Sequence, residues 1–330
     1  MIRILNGDCR EKLPLLDAGS VQCVVTSPPY YGLRDYNVAG QIGLEATPYD
    51  YLTVMVDVFR EVRRVLRDDG TVWLNIGDSY AANGARTNNN GSGATGLMRD
   101  GRNEASRLHS AAMTKTLNMK QLPPIDSGLA SKQLLMMPAR LALALQADGW
   151  WLRSDIIWHK PNPMPESITD RPTSAHEHVF LLTKAARYYY DADAISEPAV
   201  RAGDIPGGGG GYVDRSIGHN RDGLSAACAR PVSATRSCRN VWTIATAPFS
   251  EAHFATFPPA LAERCIKAGS KPGDTILDPF AGAFTAPLVA DRLQRDAIGI
   301  ELSEAYCAMA RSRIENDAGM FADLQIDKVR

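Results

Sequence analysis

The sequence predicts a doubly wound α/β fold on a mostly parallel sheet, and three observations carry that expectation. Residues 21–26 (VQCVVT) and 71–76 (TVWLNI) are short, nearly continuous apolar runs rich in β-branched side chains, as strands buried on both faces require. Between them Tyr51, Val54, Met55, Val58, Val62, Val65 and Leu66 recur at three- and four-residue steps, which places them on one face of a helix ending before Gly70. The same strand and helix alternation returns further along, and such alternation puts helices on both faces of one sheet.

In order, the later elements are a helix over 131–146, strands over 156–158 and 179–182, and a helix over 259–268. A strand over 275–277, a helix over 285–293, a strand over 297–301 and a helix over 304–314 close the chain. Two segments break the rhythm. Residues 81–130 carry Arg86, Arg99, Arg102, Arg107, Lys115 and Lys120 against Asp100, Glu104 and Asp126. Residues 201–240 carry Arg201, Arg215, Arg221, Arg230, Arg236 and Arg239 against Asp204, Asp214 and Asp222. Each is net positive in a chain whose formal charge is −1, and each is rich in glycine, serine or asparagine. They read as insertions, solvated loops or arms that grip a polyanion. The domains expected are thus a core of 1–80, 131–200 and 241–330, interrupted by 81–130 and 201–240.

Bulk properties narrow the class. With 330 residues, 45% hydrophobic and 22% charged, the chain can bury a full core like an ordinary globular protein. The opening MIRILNGDCREKL has no apolar run of signal-peptide length and no later segment approaches a membrane span, so a soluble cytoplasmic protein is expected. Six cysteines are scattered without a CxxC pair, which argues against a disulfide framework or a zinc site. His176, Glu177 and His178 do not make a metal motif either. Alternate strand residues put the two histidines on one face and the acid on the other, and HExxH spacing is absent. No metal is expected. Trp150, Trp151 and Trp158 read as core or pocket wall.

Two stretches carry chemistry. In VVTSPPYYGLRDY a buried strand runs into Ser27, Pro28, Pro29 and Tyr30. Two prolines lack N–H donors and cannot extend a ladder, so the chain leaves the sheet beside a hydroxyl, fixed carbonyls and an aromatic ring. In TILDPFAGAFTAPLVA a strand leads through a glycine-containing turn into a helix, and Glu301 ends the next strand. Rossmann-like folds hold a nucleoside in this way. Small residues let the backbone approach the ligand, and the acid accepts from ribose hydroxyls.

Taken together, TSPPY and DPF-x-G before a helix resemble the S-adenosylmethionine-dependent DNA methyltransferases that modify exocyclic amino groups. NGDC (6–9) is similar to the segment that holds the cofactor's adenine. TVWLNIGDSY is similar to the strand after the catalytic one, and HEHVFLLTKAARYYYD (176–191) to the base-pocket strands. HFATFPPAL (253–261) is similar to the segment that closes over the cofactor. The resemblance implies S-adenosylmethionine as cofactor, held by Asp8, Thr26, Phe254, Ala255, Phe257, Asp278, Phe280, Gly282, Thr285 and Glu301. Because TSPPY precedes DPF, it implies the circularly permuted β class, a Rossmann-like methyltransferase sheet with target recognition inserted at 201–240. Double-stranded DNA is then the partner, the six arginines of 201–240 its contacts, and a homodimer the assembly.

The resemblance gives the opening stretch a task. An exocyclic amino nitrogen is a poor nucleophile because its lone pair is delocalised into the ring. If Ser27 Oγ and the Pro28 carbonyl accept its two hydrogens, the lone pair can turn toward the methyl donor, and prolines fix that carbonyl in advance. Tyr30 would stack on a base taken out of the duplex. Within the family S-P-P-Y accompanies N4-cytosine and D-P-P-Y or N-P-P-Y accompanies N6-adenine, and physics leaves both bases open. An RNA or protein-amide substrate, and a DNA-binding module without catalysis, also stay open. The chain departs from the family's G-S-G-T-T at Phe284 and Ala286, where a narrowed turn and altered contacts to the cofactor's methionine end are expected.

Overall fold

The computed structural model describes residues 1–81, 86–87, 121–122, 128–199, 234–246, 257–318 and 324–327. Most of the two expected insertions therefore lies outside the described residues. The chain divides into two compact units, one formed by Met1–Tyr190 with Asn240–Arg330 and the other by Asp191–Arg239.

The principal sheet of the larger unit is built from nine strands: β1 (Ile2–Asn6), β2 (Val21–Thr26), β3 (Leu66–Ile76), β4 (Trp151–His159), β5 (His176–Thr183), β6 (Val241–Thr243), β7 (Thr275–Asp278), β8 (Asp296–Glu301) and β9 (Leu324–Asp327). Their order is β6-β4-β5-β3-β2-β7-β8-β1-β9. Only β5 runs against its neighbours. The first strand of the chain is thus laid between two of its last, and β2, which leads into Ser-Pro-Pro-Tyr, pairs with β7, which leads into Asp-Pro-Phe. This parallel alternation is the α/β sheet that the sequence predicts.

Among the described residues six α-helices accompany the sheet: α1 (Cys9–Lys12), α2 (Pro48–Val65), α3 (Met137–Ala147), α4 (Pro259–Gly269), α5 (Thr285–Arg292) and α6 (Glu304–Ala318). Helix α2 starts at a capping box, Thr47 and Asp50 each bonding the other's backbone N–H, with Pro48 in the first turn. Its buried stripe, Tyr51, Met55, Val58, Phe59, Val62 and Val65, packs with Val24, Val72 and Leu74 on one face of the sheet. Cys23 and Trp73, pointing the other way, meet Gly269 at the end of α4, where a Cβ would lie 2.7 Å from Cys23 Sγ. Burial of each such aliphatic side chain stabilises the fold by about 1.5–3 kcal/mol.

Several elements differ from the sequence expectation, and β4 and β5 are longer than expected at both ends. The α3 helix begins at Met137 rather than residue 131, because the backbone of Lys132, Gln133 and Leu135 pairs with Ser79 and Ala81 instead. Asp78 Oδ1 then accepts from Met137 N at 3.0 Å and caps α3 from outside the helix. Leu66 is extended rather than helical and opens β3. Strands β1, β6 and β9 were not expected; β1, IRILN, is short and ends in a polar residue. Among the described residues no helix is long and apolar enough to cross a membrane.

Candidate active site

Because β1, β2, β3, β4, β7 and β8 are parallel, their carboxyl ends lie along one edge, and antiparallel β5 presents its first residues there. Ligands of open α/β sheets bind at this edge. A cleft of about 950 Å³ opens along it, at the upper end of the roughly 300–1,000 Å³ of small-molecule sites and roomy enough for two reactants.

The structure brings most of the predicted site residues to this cleft. Ser27, Pro28, Pro29 and Tyr30 line it beyond β2. Asp278, which ends β7, lines it with Phe280, Gly282 and Thr285 after it, as do Glu301 at the end of β8, Asp8 beyond β1 and Phe257 before α4. Thr26 is buried beneath the floor, where its hydroxyl donates to Asp278 Oδ1 at 2.6 Å. Phe254 and Ala255 lie outside the described residues, as do Arg201, Arg215, Arg221 and Arg230. Arg236 and Arg239 belong to the smaller unit, where both pair with Glu197, at 3.4 and 3.0 Å.

Two carboxyl groups organise the β7–β8 side. Glu301 accepts from Gly282 N at 2.8 Å and Ser303 N at 2.7 Å, one bond to each oxygen, which ties the glycine turn to the end of β8. Burial raises its pKa. Each oxygen keeps a lone pair, as a ribose-binding acid needs. Asp278 accepts from Thr26 Oγ1 and from Phe280 N. Burial pushes its pKa from 3.8 up to about 7, against the opposing effect of those two bonds. Among the described residues no cation pairs with it. A carboxyl whose pKa is raised on folding favours the folded state when protonated, so its contribution declines as pH rises from about 4 to about 7. Asp8 caps α1 through Arg10 N at 2.9 Å and pairs with the Arg10 side chain, while still facing the cleft.

The expected narrowing of the turn at Phe284 does not occur. Phe284 takes the left-handed conformation, φ 57°, that glycine adopts without penalty. Its ring turns away from the cleft and is fully buried. It lies over Gly299 of β8, where a Cβ would come within 2.3 Å of the ring. The glycine missing from the turn is matched by one in the neighbouring strand, and Gly282, Ala283, Thr285 and Ala286 are left to form the wall. Arg313 of α6, which no sequence pattern singles out, binds Ala283 O and Thr285 Oγ1 and fixes that wall.

On the β2 side the opening stretch joins a network. Tyr51 donates to Pro29 O at 2.9 Å, and no donor meets the Pro28 carbonyl among the described residues. Ser27 Oγ donates to Tyr30 OH at 3.3 Å, and Tyr30 OH donates to Glu177 Oε2 at 2.6 Å. Asn75 Nδ2 reaches Ser27 Oγ, Tyr30 OH and Glu177 Oε2 at 3.3, 2.8 and 2.8 Å. Lys160 Nζ closes the set with an ion pair to Glu177. Burial, and then the Glu177 charge, lift the Tyr30 pKa well above 10, so its hydroxyl keeps its proton. The Tyr30 ring rests on Gly77, where a Cβ would lie 2.7 Å away. Sequence reasoning missed Asn75, Lys160 and Glu177, which come from three different strand ends. It did anticipate that Glu177 points away from its flanking histidines, and Trp158 is buried in the pocket wall and Trp150 in the core, as expected; Trp151 instead is half exposed and belongs to neither.

A cleft at the carboxyl edge of the sheet, with an acid at the end of β8 and a Ser-Pro-Pro-Tyr turn beside it, defines the general class, an α/β protein with a small-molecule-sized site at its strand ends. Comparison with known proteins is more particular. Residues 21–312 match the DNA methylase family (N6_N4_Mtase). The chain is 44% identical to the type II methyltransferase M.SmaI of Serratia marcescens, over 94% of this chain and 90% of that one. It is 43% identical to the type II methyltransferase M.XycI of Xanthomonas campestris pv. cyanopsidis, over 94% and 87%. Among solved structures it resembles the PvuII DNA methyltransferase (cytosine-N4-specific), with TM-score 0.60 and 18% identity over 98% of this chain and 94% of that one. It also resembles the putative DNA modification methylase TTHA0409 of Thermus thermophilus, complexed with S-adenosyl-L-methionine, with TM-score 0.55 and 22% identity over 99% and 100%. The chain belongs to the DNA methylase family, the methyltransferases that modify exocyclic amino nitrogens of DNA bases.

Proposed function

We propose that this chain transfers the methyl group of S-adenosylmethionine to N4 of a cytosine taken out of duplex DNA, in one direct in-line step that breaks the methyl–sulfur bond, leaves a neutral thioether and releases one amino hydrogen to solvent as a proton. The observation that carries this is the open acceptor capacity of Ser27 Oγ and the Pro28 carbonyl, in the same cleft as Asp278 and Glu301. S-adenosylmethionine supplies an electrophilic methyl on a cationic sulfur. Glu301 would hold the ribose hydroxyls, Asp8 the adenine end, and Asp278 with Thr26 beneath it the cationic end. Phe257, Phe280, Gly282 and Thr285 would complete that wall, and Phe254 and Ala255 are assigned to the cofactor as well. Ser27 and Pro28 would accept the two amino hydrogens, and Pro29 and Tyr30 would hold them in place. Holding two reactants in line is the main catalytic contribution.

Cytosine is favoured by the serine at the head of Ser-Pro-Pro-Tyr and by the structural likeness to a methyltransferase named as cytosine-N4-specific. We assign duplex recognition to the arginine-rich 201–240 segment, permuted order to the catalytic sheet and a cytoplasmic place to the enzyme. Incubation with tritium-labelled S-adenosylmethionine and either duplex DNA or RNA of the same sequence tests the reading. Label in DNA, recovered as N4-methylcytosine, is expected. N6-methyladenine would move the assignment to the other base, and label in RNA alone, or in neither, would overturn it.

Asp278 adds a pH prediction. Below about 7 the ligand-free carboxyl is protonated, and a cationic ligand beside it favours the carboxylate. Affinity for S-adenosylmethionine is therefore expected to strengthen as pH rises toward 7, by up to about tenfold per unit for a single linked proton. Calorimetry across the range from mildly acidic to mildly basic pH measures it, and Asp278→Asn should flatten the profile. A wild-type profile as flat as the variant's would detach Asp278 from the cofactor.

A further inference from the structure

The donors and acceptors around Ser27 form a chain with a fixed direction. The Tyr30 hydroxyl is fully committed, since its one hydrogen goes to Glu177 and its two lone pairs face Ser27 and Asn75. The direction is set at the far end. Glu177 holds Lys160, so its carboxylate can only accept. Tyr30 must then donate toward Glu177, and Ser27 can donate toward Tyr30. Asn75 is constrained in the same way, because the amide end 2.8 Å from an acceptor-only carboxylate must be its NH2. Ser27 Oγ thereby has its hydrogen engaged, one lone pair facing Asn75, and one lone pair for the cleft.

We infer that Glu177, held by Lys160, is a positioning residue that acts through Tyr30 to orient the Ser27 hydroxyl, so that the site presents an acceptor and selects a base bearing an amino group. This rests on the amino-methyltransferase reading above and deepens it. With the hydroxyl reversed, Ser27 would offer a hydrogen to the amino group and compete with the lone-pair alignment that methyl transfer needs. The same polarity disfavours bases with a carbonyl at that ring position, which would bring a lone pair against a lone pair. The network also carries the charge that the serine lacks relative to an aspartate. It places a carboxylate two hydrogen bonds behind the hydroxyl, where it polarises the chain cooperatively.

The test is a double-mutant cycle on methyl transfer to unmethylated plasmid DNA, with Glu177→Gln, Tyr30→Phe and the pair. The glutamine amide could turn its NH2 toward Tyr30 and so release the direction of the chain. Glu177→Gln is expected to lower kcat by about 100-fold, the scale of a misaligned reactant, with KM and calorimetric Kd for S-adenosylmethionine unchanged. Tyr30→Phe severs the link without disturbing the Glu177–Lys160 pair, so it serves if Glu177→Gln fails to fold. It should lower kcat comparably, and adding Glu177→Gln to it should lower it little further. An active wild type whose Glu177→Gln variant keeps the wild-type kcat, or whose two losses multiply in full, would overturn the inference alone. The same follows if Tyr30→Phe keeps the wild-type kcat. A wild-type chain with no transfer to DNA would instead remove the reading on which it rests.

Discussion

Ser27→Ala is expected to lower kcat for methyl transfer by about 100- to 1,000-fold, the loss seen when one preorganised hydrogen-bonding partner of a reaction centre is removed. The substitution deletes the lone pair that would receive an amino hydrogen, and little else. Asn75 keeps Tyr30 OH and Glu177 as partners, and the strand beneath Ser27 is held by its pairing with β3 and β7. Thr26, Asp278 and Glu301 are untouched, so affinity for S-adenosylmethionine should be preserved. Single-turnover transfer alongside calorimetric titration measures both quantities. A variant with the wild-type rate would reduce the Ser-Pro-Pro-Tyr turn to a structural feature, and one that lost cofactor affinity in step with rate would place Ser27 on the cofactor instead.

The largest stability effect is expected at Phe284. Truncation to alanine removes a fully buried ring that covers Gly299, and buried phenylalanines typically cost about 3–5 kcal/mol when cut to alanine. Phe284→Gly would relieve the left-handed backbone as well, but that relief is about 1–2 kcal/mol and does not offset the lost packing. Both variants should therefore show a lower urea midpoint with an unchanged slope, glycine less so than alanine. Equal stability of wild type and Phe284→Ala would mean that the ring is not a core element. Because the ring faces away from the cleft, cofactor affinity measured well below the unfolding transition should change little.

Much of the fold and half of the site are local in sequence and could be seen there. Strand β2 announces itself by a nearly continuous run of apolar, β-branched residues, all six of them buried in the structure, and Pro28 and Pro29 announce its end. Asp278, Gly282 and Glu301 sit on a strand, its turn and the next strand, a spacing that survives in one dimension. What could not be seen depends on which strands become neighbours. Asn75, Lys160 and Glu177 meet only because β5 reverses direction beside β3 and β4. That reversal puts the first residues of β5 at the edge where the other strands end, and no hydrophobic period reports it. The direction of the Phe284 ring is likewise decided by Gly299, distant in sequence and on the adjacent strand. Helix α3 starts late because its expected first turn pairs with the loop after β3, a tertiary competitor for the same backbone donors.

Methylation of an amino group in duplex DNA leaves a record in the DNA itself, which modification-calling single-molecule sequencing of plasmid from a methylation-free host expressing the chain would read. A single recurrent motif carrying N4-methylcytosine, absent when Ser27→Ala is expressed instead, is expected; unmodified DNA from cells that contain folded, S-adenosylmethionine-binding protein would mean that the chain is not a DNA methyltransferase.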